Sequence, residues 1–134
     1  MAYSIRIKVG DLALEAELND TQTADRVYRA LPLEAEASRW GDEIYFGTLV
    51  KAGKGDPMRA EMAVGEIGFW PPGRAFCIFW GPTPASAGSA PVAASPVVPI
   101  GRVVGDLKCL SDVADGTAIR IEAGPGGRPP GSLS

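Results

Sequence analysis

The segment that most constrains the fold is residues 65–81, GEIGFWPPGRAFCIFWG. It holds five aromatic residues in a chain that has only 3 Trp, 3 Tyr and 4 Phe. Two apolar runs, residues 66–70 and 75–80, flank a Pro-Pro-Gly sequence. Because proline lacks a backbone donor, that sequence predicts a rigid turn between two strands. We therefore expect this segment to supply central strands and one wall of any binding site.

Period-two patterns predict further strands along the chain. Apolar and polar residues alternate over residues 3–9, Gly10-Asp11 suits a two-residue hairpin turn, and the alternation resumes over residues 12–18. The other predicted strands are residues 33–38, 43–49, 97–104 and 117–123. Pro99 should confine its strand to a sheet edge or a bulge.

Two short helices and two loops complete the predicted elements. Residues 19–21 offer an N-cap to a helix that Pro32 must end, and Asp106 can cap a second helix that Gly116 ends. Residues 50–60 are polar and glycine-rich, which predicts an exposed loop. Residues 82–96 are rich in Ala, Ser and Pro, which predicts a mobile loop.

These elements predict a mainly β fold, a closed eight-stranded barrel with two capping helices. Closure removes exposed strand edges, which is favourable in so short a chain. The 134 residues, with 17 Gly and 12 Pro, suit one domain of short strands and many turns. We assign that domain to residues 1–123 and a flexible tail to residues 124–134.

Composition excludes several functional classes. The net charge of −3 comes without a basic cluster, which argues against a nucleic-acid surface, and no apolar run is long enough to span a bilayer. The absence of histidine argues against a zinc site or a Ser-His-Asp triad, and we expect neither metal nor cofactor. Two cysteines in apolar surroundings, with no signal-peptide pattern at the N-terminus, predict a reduced, cytoplasmic protein.

Candidate site residues cluster at a strand junction. Trp40 precedes two carboxylates, and Glu43 would have a raised pKa and serve as an acid or base if it faced a cleft with Tyr45 and Trp70. The alternative is a turn whose Trp covers the core. Arg74, after the Pro-Pro-Gly turn, would either bind a carboxylate or remain a solvated surface residue.

Strand parity divides residues 75–80 between two faces. Ala75, Cys77 and Phe79 share one face, and the three residues between and after them share the other. One set should fill the core, and the other should line a groove or contact a neighbouring element; the alternative is that both sets only pack. Cys77 is a poor nucleophile because no histidine can activate it and burial would raise its pKa.

Three sequence segments resemble the cyclophilin fold and, more closely, a bacterial and archaeal family of small cyclophilin-like proteins of unassigned function. They are WGDEIYFGT (residues 40–48), EIGFWPPGRAFCIFWGPTP (66–84) and VVPIGRVVGDLKCLSDV (97–113), and an earlier segment, LNDTQTADRVYRALP (18–32), is similar to the first helix of true cyclophilins. Prolyl isomerases of the fold use an arginine beside a pocket of Phe, Trp and His. The resemblance places Arg39 near that arginine and Cys77 at the pocket Phe. The Trp and His have no counterpart, which argues against isomerase activity.

The sequence therefore predicts a module that binds a small molecule or short peptide. Its predicted ligand-binding residues are Trp40, Glu43, Tyr45, Phe69, Trp70, Arg74 and Cys77. One alternative is a catalyst, either a weak prolyl isomerase using Arg39 or an acid–base enzyme centred on Glu43. Another is a structural role in which an apolar surface forms a homodimer interface.

Overall fold

The computed structural model describes residues 3–124, which form a mainly β domain of ten strands and one α-helix. The strands pair antiparallel throughout. The elements are β1 (Tyr3–Val9), β2 (Leu12–Leu18), α1 (Gln22–Arg29), β3 (Leu33–Glu36), β4 (Ser38–Arg39), β5 (Glu43–Gly47), β6 (Arg59–Glu61), β7 (Glu66–Trp70), β8 (Ala75–Phe79), β9 (Val92–Val104) and β10 (Ala118–Ala123). Single 3₁₀ turns occupy Pro71–Gly73 and Lys108–Asp112.

The sheet follows the order β3-β10-β1-β2-β9-β7-β8-β5-β4, and β6 pairs with β9 beside it. The predicted closure of an eight-stranded barrel is not confirmed. The two ends of the sheet, β3 and β4, are consecutive in the chain and separated by Ala37, and within residues 3–124 no ladder pairs them with each other. The prediction also missed β6, which begins in the last two residues of the predicted exposed loop, and the break at Ala37.

The first predicted helix is confirmed and the second is not. Thr21 caps α1, because its hydroxyl accepts a hydrogen bond from the Ala24 N–H at 3.1 Å. The second segment is only a 3₁₀ turn, whose buried residue is Leu110. Among residues 3–124 no helix has the length and apolar character needed to cross a bilayer.

The two faces of β8 pack into two separate apolar clusters, as its parity predicts. Phe76, Ile78 and Trp80 belong to the main core, which the sheet encloses together with α1. The other face belongs to a smaller outer cluster, defined by Met62, Ala75, Cys77, Phe79, Ala93 and Val97, against which Tyr45 and Trp70 pack. The segment after β6 and the first half of β9 therefore cover the outer face of β8.

Strand β9 begins earlier than the sequence predicts. Residues 92–96, which the sequence assigns to a mobile loop, are the first part of β9 and pair with β6. Thr83, in the preceding loop, is buried and donates its hydroxyl to the Val92 carbonyl. Farther along β9, the register with β7 shifts between the pairs Ile67–Gly101 and Gly68–Pro99. Of the two predictions for Pro99, a sheet edge or a bulge, the bulge is confirmed, because β9 lies between β2 and β7 in the sheet.

The C-terminal boundary is described only as far as Gly124. The backbone N–H of Gly124 donates to the Ser4 carbonyl at 2.9 Å, so this residue continues the contact between β10 and β1. The rest of the predicted tail, residues 125–134, lies outside the described residues.

Candidate functional site

A cavity of about 210 Å³ opens on the outer face of the sheet, beside the outer cluster. Its lining residues are Trp40, Glu43, Tyr45, Trp70, Cys77, Ala93, Ala94 and Val97. The three aromatic residues are half-buried, whereas Glu43, Cys77, Ala93 and Val97 are buried. Because pockets for drug-sized ligands span roughly 300–1,000 Å³, this cavity suits a smaller molecule or a single side chain.

Strand register brings the lining residues together. Tyr45 on β5 lies directly opposite Cys77 on β8, and Glu43 is two residues before Tyr45, on the same face of β5. On the other side of β8, Cys77 pairs with Gly68, and Trp70 follows Gly68 at the same parity. Three neighbouring strands, β5, β8 and β7, thus direct their outward-facing residues toward the same cavity.

Gly68 allows β9 to approach this face closely. A Cβ atom at position 68 would lie 2.8 Å from Cγ2 of Val97 and 3.2 Å from Cε of Met62. The first of these distances is shorter than a van der Waals contact, so a side chain at position 68 would displace the strand that forms one wall of the cavity.

Glu43 is the buried charged group of the cavity. Its side chain lies at the floor, and the residue is only 6% exposed. Burial raises the pKa of Glu43 from 4.5 to about 7, and the Cys77 thiol opposes that rise as a hydrogen-bond donor to the carboxylate. Near neutral pH the carboxyl therefore exists in both protonation states, and it can donate or accept a proton.

Cys77 is held in its thiol form. Burial raises the pKa of Cys77 well above its ordinary value, and the negative charge of Glu43 raises it further. The single thiol hydrogen points either to the Ala75 carbonyl oxygen, 3.6 Å from Sγ, or to the Glu43 carboxylate. The predicted direction of this pKa shift is confirmed, and the thiol contributes apolar surface and a weak donor to the cavity.

Local contacts hold the aromatic rim in position. The Trp70 indole N–H donates to Oγ of Ser95 at 2.6 Å, which ties the end of β7 to the first half of β9. Trp40 begins a tight turn in which its backbone N–H donates to the Glu43 carbonyl at 2.9 Å. Gly41 adopts a φ of +64° in that turn, a conformation that favours glycine.

Five of the seven predicted ligand-binding residues meet at the cavity, and two lie elsewhere. Phe69 is fully buried in the main core, because it precedes Trp70 on β7 and must face the opposite side of the sheet. Arg74 is exposed after the Pro-Pro-Gly turn, with a φ of +47°, and does not line the cavity. Whether the five residues at the cavity bind a ligand stays a prediction.

Arg39, the candidate isomerase arginine, also lies outside the cavity. Its guanidinium donates to Gly41 O at 2.9 Å, Ser111 O at 2.7 Å, Val113 O at 2.8 Å and Asp42 Oδ1 at 3.2 Å. It also lies over the ring of Trp80, 5.3 Å from the ring centroid. A guanidinium has five N–H donors, and Arg39 divides them between the turn after β4, at Gly41 and Asp42, and the carbonyls of Ser111 and Val113 at the end of the 3₁₀ segment.

The sequence reasoning missed the three lining residues on β9, namely Ala93, Ala94 and Val97. Ala93 and Val97 share parity, but the alanine- and proline-rich composition hid the strand.

As to metals, nowhere in residues 3–124 do three or more potential metal-ligating side chains cluster.

Comparisons with known proteins assign the fold family. The family model described as Cyclophilin-like matches residues 3–122. The solution structure of a hypothetical protein from Archaeoglobus fulgidus is similar, with 36% sequence identity and a TM-score of 0.78, over 91% of this chain and 95% of that one. None of the curated proteins matches the chain. The match over nearly all the described residues shows that this chain belongs to the cyclophilin-like family.

Proposed function

We propose that this protein binds a small molecule in the cavity between β5, β7, β8 and the first half of β9. The observation that carries the proposal is the buried carboxyl of Glu43 at the floor of a half-open cavity with an aromatic rim. Such a site combines apolar walls with one convergent polar group, which is the usual composition of small-ligand pockets.

Energetic cost supports a binding role for Glu43. Burial without full compensation makes the charged form of this carboxyl unfavourable, and an apolar residue would fill the same place at lower cost. Perturbed carboxyls in clefts occur preferentially at functional sites. A ligand that interacts with the carboxyl would offset the cost that the free protein carries.

A second candidate, acid–base catalysis by Glu43, is favoured by its pKa of about 7. A carboxyl with that value exchanges protons efficiently at neutral pH. The two functions differ in the fate of a bound molecule, because a binding module releases it unchanged. Mass analysis of a ligand recovered after prolonged incubation with wild-type protein and with Glu43→Gln separates the two.

The proposal is tested by blocking the cavity from its rim. Ala94 is exposed and lines the cavity, so Ala94→Trp should occlude it without disturbing the core. Ala90→Trp, at an exposed loop position that is not part of the lining, is the matched control. Both variants and the wild type would be screened by NMR against small neutral, cationic and anionic fragments.

We expect fragments to shift the indole N–H resonances of Trp40 and Trp70 in the wild type and in Ala90→Trp. The same fragments should not shift the Trp40 and Trp70 indole N–H resonances of Ala94→Trp. If no fragment binds the wild type, or if binding persists unchanged in Ala94→Trp, the cavity is not the binding site and the proposal is wrong.

A further inference from the structure

The chemistry of the cavity lining identifies a class of ligand more specific than a small molecule. The geometry points to an organic cation, an ammonium group that carries alkyl substituents, as the ligand enclosed by Trp40, Tyr45 and Trp70 and paired with Glu43. This inference rests on the proposed binding function and adds the charge of the ligand to it.

The aromatic rim is the first support. Three aromatic side chains line an opening of a cavity whose volume is about 210 Å³. Aromatic rings attract cations through the negative potential of their faces, most strongly where water is excluded, and alkylated ammonium groups are bound in this way by clusters of aromatic residues. The hydrogen bond from Trp70 to Ser95 fixes one of these rings before any ligand arrives.

The charge balance of the lining is the second support. Among the described residues that line the cavity, the titratable groups are Glu43, Tyr45 and Cys77, and none is a lysine or an arginine. The carboxylate therefore lacks a cationic partner within the lining, and a bound ammonium group would supply one. An anionic ligand would meet a buried carboxylate with no cation to offset the repulsion.

The shape of the site favours an alkylated ammonium over a bare metal ion. Metal ions such as Ca²⁺ and Mg²⁺ need several oxygen ligands, whereas Glu43 is the carboxylate of this lining. Ala93, Val97 and the aromatic rim instead offer apolar surface that would contact methyl or methylene groups. The cavity thus matches a cation whose charge is covered by hydrocarbon.

The test compares three probes of similar shape that differ in charge. Choline is the cation, 3,3-dimethylbutan-1-ol is its neutral counterpart, and 3,3-dimethylbutanoate is an anion of similar size. Affinities would be measured by NMR titration at about pH 8, where Glu43 is largely ionised. Glu43→Gln removes the charge and keeps the shape, and Glu17→Gln, on the exposed side of β2, is the control.

We expect choline to bind at least about tenfold more tightly than the neutral alcohol, and the anion to bind most weakly. Glu43→Gln should lower choline affinity by about tenfold and leave the alcohol unaffected, because only the charged probe uses the carboxylate. Glu17→Gln should bind all three probes as the wild type does.

Three results would overturn the inference. Equal binding of choline and the alcohol, or tighter binding of the anion, would refute the preference for cations and leave the binding function standing. If Glu43→Gln bound choline as tightly as the wild type does, the carboxylate would not be the group that pairs with the cation. Failure of every probe and fragment to bind would refute the binding function as well.

Discussion

The carboxyl of Glu43 and the thiol of Cys77 interact at the floor of the cavity, and the interaction affects them in opposite ways. Burial raises the pKa of both groups. The thiol, as a donor, partly stabilises the ionised carboxyl, whereas the carboxylate charge further suppresses ionisation of the thiol. The pair therefore keeps Cys77 unreactive while Glu43 can change charge near neutral pH.

The raised pKa of Glu43 predicts that stability falls as pH rises. The native state holds the carboxyl proton of Glu43 more tightly than the unfolded chain does. The stability that this proton contributes is therefore complete below the ordinary pKa of 4.5 and is lost as pH rises through about 7. The loss should reach about 3 kcal/mol at most. Because glutamine mimics the protonated carboxyl, Glu43→Gln should be more stable than the wild type at about pH 8 and similar to it at about pH 4. Urea unfolding at both pH values measures the difference.

Glu66→Gln is the control with the opposite sign. Burial works against the charge of Glu66, but hydrogen bonds from Arg59 and from the Ala63 N–H keep its pKa below the ordinary value. The stability that the ionised Glu66 carboxylate contributes is present above the pKa of Glu66 in the unfolded chain and is lost as pH falls. Glu66→Gln should therefore destabilise the protein at neutral pH. If the two variants changed stability in the same direction at about pH 8, our account of Glu43 would be wrong.

Arg39→Ala should destabilise the fold by about 2–3 kcal/mol, because it leaves backbone carbonyls of the 3₁₀ segment without a charged donor. Arg39→Lys should recover only part of the lost stability, since an ammonium group lacks the planar set of N–H donors with which a guanidinium reaches several acceptors. Urea unfolding measures both variants. In a protease-coupled prolyl-peptide assay, wild type and Arg39→Ala should both remain at background. A rate in the wild type that Arg39→Ala abolishes would instead support a prolyl isomerase.

The two cysteines should differ in reactivity. Cys77 is 2% exposed with a raised pKa, whereas Cys109 is half-buried. Because alkylation requires an accessible thiolate, iodoacetamide should modify Cys109 in the native protein and Cys77 only after unfolding. Peptide mass spectrometry would locate the label, and Cys109→Ser should show almost no native labelling. Rapid native labelling of Cys77 in that variant would contradict the burial described for it.

Gly68→Ala should distort the cavity. The added Cβ would clash with Cγ2 of Val97 at 2.8 Å, so the strand must move, at a cost of about 1–3 kcal/mol. Gly47→Ala is the matched control on β5, where the nearest atom would be 3.6 Å away, an ordinary contact. Thermal unfolding and the Trp70 indole resonance report stability and geometry together. Equal effects from the two substitutions would show that Gly68 has no special role in the approach of β9.

Much of the site was accessible from local sequence patterns. Alternation in residues 75–80 predicted two faces with different partners, and the structure divides them between the main core and the outer cluster. The sequence predicted a raised pKa for Glu43 on the condition that it faced a cleft with Tyr45 and Trp70; the three residues line one cavity, and burial raises that pKa. The same parity argument, applied to β7, would have separated Phe69 from Trp70, because adjacent residues of a strand face opposite sides.

What the sequence determined by itself is the family resemblance and a set of local features, namely the period of most strands, the turn at Gly10-Asp11 and the cap of α1. Only the tertiary structure decided that residues 92–97 cover the outer face of β8, that the sheet ends at β3 and β4, and that Arg39 holds backbone carbonyls. The physical reason is that periodicity reports which side of a strand is apolar. The element that covers that side depends on pairing between segments far apart in the chain, which no local pattern encodes.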